Sequence, residues 1–174
     1  MPIQINELVT GAASTSASDI FLHVQTKRAG KIKGEGTTAG HTDDIGVFGW
    51  GWGVVANTAI GSTERTARRS YRHLVVTKGI DSASTGLLSA LVTNDEVREA
   101  TLAMRKAGGN ALDYFRMTLK DARVVGVDVD IGSDGRPVER VEFAFTKIEI
   151  EYKRQQSAGA AGASFSFSDE VLPS

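Results

Sequence analysis

Apolar and polar positions alternate with period two over most of the chain, the pattern of strands half-buried against a core. Ile20, Leu22 and Val24 alternate with Phe21, His23 and Gln25. Phe115, Met117 and Leu119 alternate with Tyr114, Arg116, Thr118 and Lys120. Val125, Val127, Val129 and Ile131 alternate with Gly126, Asp128 and Asp130. The turn residues SDGRP at 133–137 then predict a hairpin to a run over 138–153. In that last run Val141, Phe143 and Phe145 share one parity, and Ile148, Ile150 and Tyr152 the other. A β-bulge at Thr146–Lys147 would restore a single inward face.

Residues 44–55 predict another strand, with Phe48, Trp50, Trp52 and Val54 on one face and Gly49, Gly51 and Gly53 on the other. Strand glycines cost stability, so this face predicts the close approach of another backbone layer, with a locally irregular strand as the alternative. Asp81 to Ser84 offer N-cap side chains, Leu87, Leu88, Leu91 and Val92 follow at helical spacing, and Asn94–Asp95 suits the stop. Residues 97–106 return to strand with Leu102 and Met104 facing in. The segment 55–68 has no period and reads as a long loop, a feature that is usually functional or disordered.

Many strands, hairpin connections and one short helix predict a mainly β fold. The expected form is a small, partly open β-barrel, or two packed antiparallel sheets, with one flanking α-helix. Trp50, Trp52, Phe115, Phe143 and Phe145 are the expected aromatic core. The domain is expected over 19–154, after an N-terminal extension at 1–18 and before a flexible C-terminal tail at 155–174. The tail is rich in Ser, Ala and Gly, yet it carries Phe165, Phe167, Val171 and Leu172. Either these are incidental to a disordered tail or they dock onto a partner.

Composition narrows the classes. With 174 residues, 41% of them hydrophobic, the chain can bury a full core as one domain. It contains no cysteine, which removes disulfides, thiolate metal sites and thiol nucleophiles together. A net charge of −1 gives no strong field toward nucleic acid or anionic lipid. No apolar stretch approaches the ~18–20 residues that span a bilayer, so membrane insertion is not expected. The first residues have neither a basic start nor a continuous apolar stretch. The expectation is therefore a protein made in the cytoplasm, which leaves the cell, if at all, without a cleaved signal peptide.

No catalytic constellation emerges. His23, His41 and His73 lack the spacing of a metal site. Asp43–Asp44 and Asp95–Glu96 sit at expected turns, where paired carboxylates are usually solvated. Gly34-x-Gly36 with Ala39 lacks the strand–helix context of a dinucleotide fingerprint. Arg65, Arg68, Arg69 and Arg72 form the densest basic cluster. A solvated strand face or a subunit contact explains it better than nucleic-acid binding does, given the near-neutral body. No catalytic, cofactor-binding or metal-ligating residue is assigned, and no cofactor is expected.

The order of certain segments resembles the haemolysin-coregulated protein (Hcp) family, the tube subunit of the bacterial type VI secretion system. The matching pieces run Asp19–Leu22, Gly34–Glu35, Trp50–Val54, Val76–Gly79, Glu99–Gly108, Tyr114–Asp121 and Val141–Tyr152. Gly51 departs from the family pattern, in which a polar residue often stands between the aromatics. The resemblance implies a β-barrel with a helix on its flank, and six copies joined in a ring. Rings would stack into a hollow tube, with a contractile sheath around it, a spike protein at its tip and effector proteins in its lumen. It places Asn57, Thr58, Ile60, Glu64 and Arg65 in a loop that contacts the next ring. Other classes remain open: a monomeric barrel that binds a small ligand, a contractile phage tail tube, or an exported effector enzyme. The short tail after Arg154 is too small to fold as an enzymatic domain.

Overall fold

The alternating runs become strands in the computed structural model, which describes residues 18–57, 61, 68–106, 111–155 and 161–171. Strand β1 (Ser18–Thr26) buries Leu22 and Val24 completely, and Phe21 is buried as well. Short strands β2 (Ile45–Val47), β3 (Gly49–Gly51) and β4 (Val54–Asn57) follow, then β5 (Arg68–Tyr71) and β6 (Leu74–Lys78). Helix α1 (Ser84–Val92) precedes β7 (Val97–Lys106), β8 (Asp113–Ile131), β9 (Pro137–Ala144), β10 (Lys147–Gln155) and β11 (Ala161–Glu170). All the strand pairings are antiparallel. The order is β2-β1-β7-β8-β9-β6-β3, with β10 between β8 and β11, and β4-β5 form a separate ribbon. Among the described residues the result is two packed sheets with one helix and no closed barrel.

The long β8–β9–β10 hairpin joins the two sheets and corrects one expectation. Leu119 faces Ile148 and Val124 faces Phe143 across the ladder, and all four are buried. Inward parity therefore changes on both strands at the same level. No residue is inserted at Thr146–Lys147, since Lys120 pairs with Lys147 and Arg123 with Ala144 over equal lengths of chain. A bulge would change parity on one strand only. Here Asp121 takes φ 48° opposite a break at Phe145–Thr146, and the whole ribbon rolls from one sheet into the other. The bulge lies instead between Val124 and Gly126, which leaves Val125 exposed. Val129 and Ile131 are exposed too, so that run faces the core only at Val127.

The glycine face at 44–55 is also corrected. This segment is three short strands, and nothing lies within 4 Å of where a side chain would start at Gly49 or Gly51. Gly53 instead leaves room for the guanidinium of Arg72. Phe48 and Val54 are exposed, while Trp50 and Trp52 pack on the core from the rim. The close backbone crossing occurs at Gly34 and Gly36. A Cβ there would meet the carbonyl oxygens of Asp44 and His41 at 2.5 Å. The two segments of this crossing are laced by Gly34 N–H to Asp43 O and Gly36 N–H to Asp44 O, both 2.9 Å.

Helix α1 buries Leu87 and Ala90, with Leu91 against the core, but leaves Leu88 and Val92 exposed, so only half of the expected stripe faces inward. Ala83 occupies the N-cap and gives no side-chain cap; Asp81, two residues earlier, accepts the Ala83 N–H at 2.9 Å. Asn94 ends the helix with φ 53°, as Asn-Asp predicted. The flexible tail is corrected over 161–170. That segment pairs along β10, with Phe165 opposite Tyr152 and Phe167 opposite Ile150. The alternating Ser-Phe-Ser-Phe-Ser of 164–168 is a strand pattern hidden inside a low-complexity composition.

Candidate assembly surface

Of the expected core residues, Phe143 is fully buried, and Trp50, Trp52, Phe115 and Phe145 are partly buried against the same cluster. Trp50 stacks on Phe115 with centroids 5.5 Å apart. Trp52, Tyr71 and Phe145 form a second chain of rings, at 6.0 and 5.8 Å. These rings seat the β4–β5 ribbon on the body. The Trp52 Nε1–H is buried without a hydrogen-bond partner, so the indole serves there as packing surface.

The expected stacking loop, 55–68, takes in most of β4 and the first residue of β5. Val54 pairs with Tyr71 and Asn57 with Arg68, so Asn57 lies at the end of β4 rather than in a loop. Thr58, Ile60, Glu64 and Arg65 lie outside the described residues. Of the basic cluster, Arg69 is not free. Arg69 Nη2 donates to Asp169 Oδ1 at 2.8 Å and Arg69 Nε donates to Asp169 Oδ2. Tyr71 OH donates to the same Oδ2 at 2.5 Å. The hydrogen bonds from Arg69 and Tyr71 pull the Asp169 carboxyl down to about 2. Burial, then the facing Asp169, pushes the Tyr71 phenol up.

Two polar networks escaped the sequence reading. His41 is buried, stacked on Phe21 at 4.0 Å, with Nδ1 3.0 Å from Asp44 Oδ2 and Nε2 3.0 Å from both Asp113 oxygens. His23 and Lys31 also reach Asp44, and Arg105 donates to Asp113 at 3.0 Å. Burial pushes Asp44 up, but the hydrogen bonds from His41, Lys31 and His23 outweigh it and hold its carboxyl below the ordinary range. Asp113 follows the same logic through His41 and Arg105. This network ties the 34–44 crossing to β1 and to the start of β8.

In the second network, Lys78 is fully buried, and its ammonium donates to Glu139 Oε2 at 3.1 Å, Ser84 Oγ at 3.2 Å and the Gly79 carbonyl at 2.9 Å. Asp81 Oδ1 lies 2.9 Å from it. Ser84 Oγ donates to Glu139 Oε2 at 2.6 Å. One ammonium thus pins the helix start to both β6 and β9. The polar groups named in these two networks have structural partners, except Glu139 Oε1, which is buried without one, and no group of three or more His, Cys, Asp or Glu able to hold a metal occurs among the described residues. No described helix is long and apolar enough to cross a membrane.

What the fold leaves open is sheet edge. Among the described residues, strand β11 pairs only with β10, and β3 only with β6. Phe165, Phe167 and Tyr152 are exposed on one side of the outer ribbon. Such edges and faces attract further chains rather than small substrates.

The comparison with known families decides what kind of chain builds this surface. Residues 21–152 match the model described as type VI secretion system effector, Hcp. The chain belongs to the Hcp family. Protein hcp1 of Pseudomonas aeruginosa is 30% identical over 148 residues, which are 83% of this chain and 88% of that protein. The major exported protein of the same organism is 25% identical over 130 residues, 70% of this chain and 76% of that one. The crystal structure of Hcp1 from Salmonella typhimurium superposes with a TM-score of 0.69 at 28% identity, covering 88% of this chain and 94% of the other. The match begins within β1 and ends within β10, so β11 lies beyond it. As an Hcp protein, the chain is a structural tube-type component of type VI secretion, and the family includes proteins named as exported.

Proposed function

We propose that this Hcp protein forms rings of six copies that stack into the hollow inner tube of a type VI secretion system and carry effector proteins out of the cell. The sheath and spike of that system are its other partners, and the ring itself performs no catalysis and takes no cofactor. The protein is made in the cytoplasm and leaves without a cleaved signal peptide. The observation that carries the reading is an antiparallel fold with uncovered edges in a chain of this family. Different edges on one subunit favour a head-to-tail contact, which closes into a ring when its rotation permits. A filled interior supports the same reading over a ligand-binding barrel, because Met117, Leu119, Phe143 and Ile148 occupy the space between the sheets.

The β4–β5 ribbon and its tip, from Asn57 through Thr58, Ile60 and Glu64 to Arg65, are assigned to the contact between rings. Deleting residues 58–64 tests this. Rings should persist on a sizing column while stacked tubes and secretion are lost. Recovery of monomers alone would place the segment in the contact within a ring.

A further inference from the structure

The β4–β5 ribbon leaves β3 and β6 through two short connections, 52–53 and 72–73, joined by Arg72 N–H to Gly53 O at 2.9 Å, and beyond them side chains hold it against the body. It is a two-stranded sheet of its own, and no ladder joins it to the nine-stranded sheet among the described residues. Its ring contacts, Tyr71 with Trp52 and Phe145, are apolar packing, which is non-directional. One of its polar contacts is directional. Arg69 and Tyr71, both on β5, converge on one carboxylate of β11, that of Asp169, about a hundred residues away in sequence. Arg69 Nη2 also reaches the Glu170 carbonyl at 3.3 Å, and Asp169 Oδ1 accepts the Glu170 N–H at 2.9 Å. The carboxylate is thus gripped from its own strand and from the ribbon. A fork on a carboxylate fixes a plane as well as a distance.

We propose that Asp169 is the positioning residue of the β4–β5 ribbon, so that the C-terminal strand sets the direction in which the ribbon leaves the body. This rests on the assignment of the ribbon to the contact between rings, and adds what aims it. The strand that aims it lies beyond the 21–152 family match. Exposed ion pairs contribute little to global stability, so the effect of losing this one is a loss of direction and not of fold.

Asp169→Asn and Glu170→Gln in the full chain test the assignment. Each removes one negative charge. Glu170 meets Arg69 through its main-chain carbonyl, so only the first change disturbs the grip. Amide hydrogen exchange over residues 68–71 is read on dilute rings, and ring-to-ring association is read by sedimentation at higher concentration. Asp169→Asn should speed exchange in β5 at least ~10-fold, as expected when a local tether is lost. Ring mass should stay unchanged, association should weaken, and Glu170→Gln should do none of these. Tyr71→Phe, which removes one donor and keeps the ring, should give a smaller acceleration in the same residues. Equal β5 exchange in the two charge variants would overturn the proposal. Faster exchange with undiminished association would uphold Asp169 as the ribbon's anchor and remove the ribbon from the stacking contact, so the two readings fail separately.

Discussion

Replacing Lys78 by methionine removes the one cation among the buried groups that join α1, β6 and β9. The side chains of Lys78 and Glu139 are 0% and 1% exposed, and that of Asp81 is 13% exposed. Methionine fills much of the lysine stem's volume, so the perturbation is chiefly electrical. Glu139 would keep the Ser84 hydroxyl at 2.6 Å but lose the ammonium, and its Oε1 already lacks a partner. Breaking a buried pair from one side costs about 3–5 kcal/mol, because the remaining charge stays desolvated. A domain of this length loses roughly 2–4 °C in Tm per kcal/mol, so the midpoint should fall by roughly 6–20 °C. Thermal unfolding followed by circular dichroism at fixed protein concentration reads this directly. Lys78→Met with Glu139→Leu should recover most of the loss, since apolar replacement of a whole buried pair is often neutral or better. A single variant that melts with the wild type would refute the reasoning. So would a double variant no more stable than the single, which would assign the cost to packing.

Phe143→Ala empties a fully buried position and should cost about 3–5 kcal/mol in denaturant unfolding, whereas Trp52→Ala, at the rim, should cost less, about 1–3 kcal/mol; equal losses would contradict the division between core and rim. Stability should also fall on acidification. Asp44 and Asp113 are held below their unfolded value of about 3.9, so what they contribute is present above that pH and is lost as pH drops through the lowered folded values. Tm should therefore be nearly level from about pH 6 to 5 and decline below about 4, and Asp113→Asn should flatten that decline; an unchanged slope in the variant would assign the acid loss to other carboxylates.

Strands with one buried face were legible because the period-two pattern and the inward face report the same fact. Leu22, Val24, Leu102, Met117 and Phe143 show it. The parity slip near Thr146 was visible, but one strand read alone cannot show that its partner slips too. Its matching element, Asp121 at φ 48°, carries no sequence mark as strong as glycine. β11 was hidden by composition, although its serine–phenylalanine alternation was the signal. Lys78 shares inward parity with Leu74 and Val76, a clue that a charge at a core position needs a buried partner. The partners themselves, like the Asp44–His41–Asp113 chain and the Asp169 grip, join residues far apart in sequence, and only the topology brings them together.

The central claim is assembly. Light scattering on a sizing column, with negative-stain images of the same peak, tests it most directly. The account predicts a mass six times that of the 18.5 kDa chain, and images of open rings. A monomer that persists across a wide concentration range, with no rings in the images, would contradict it.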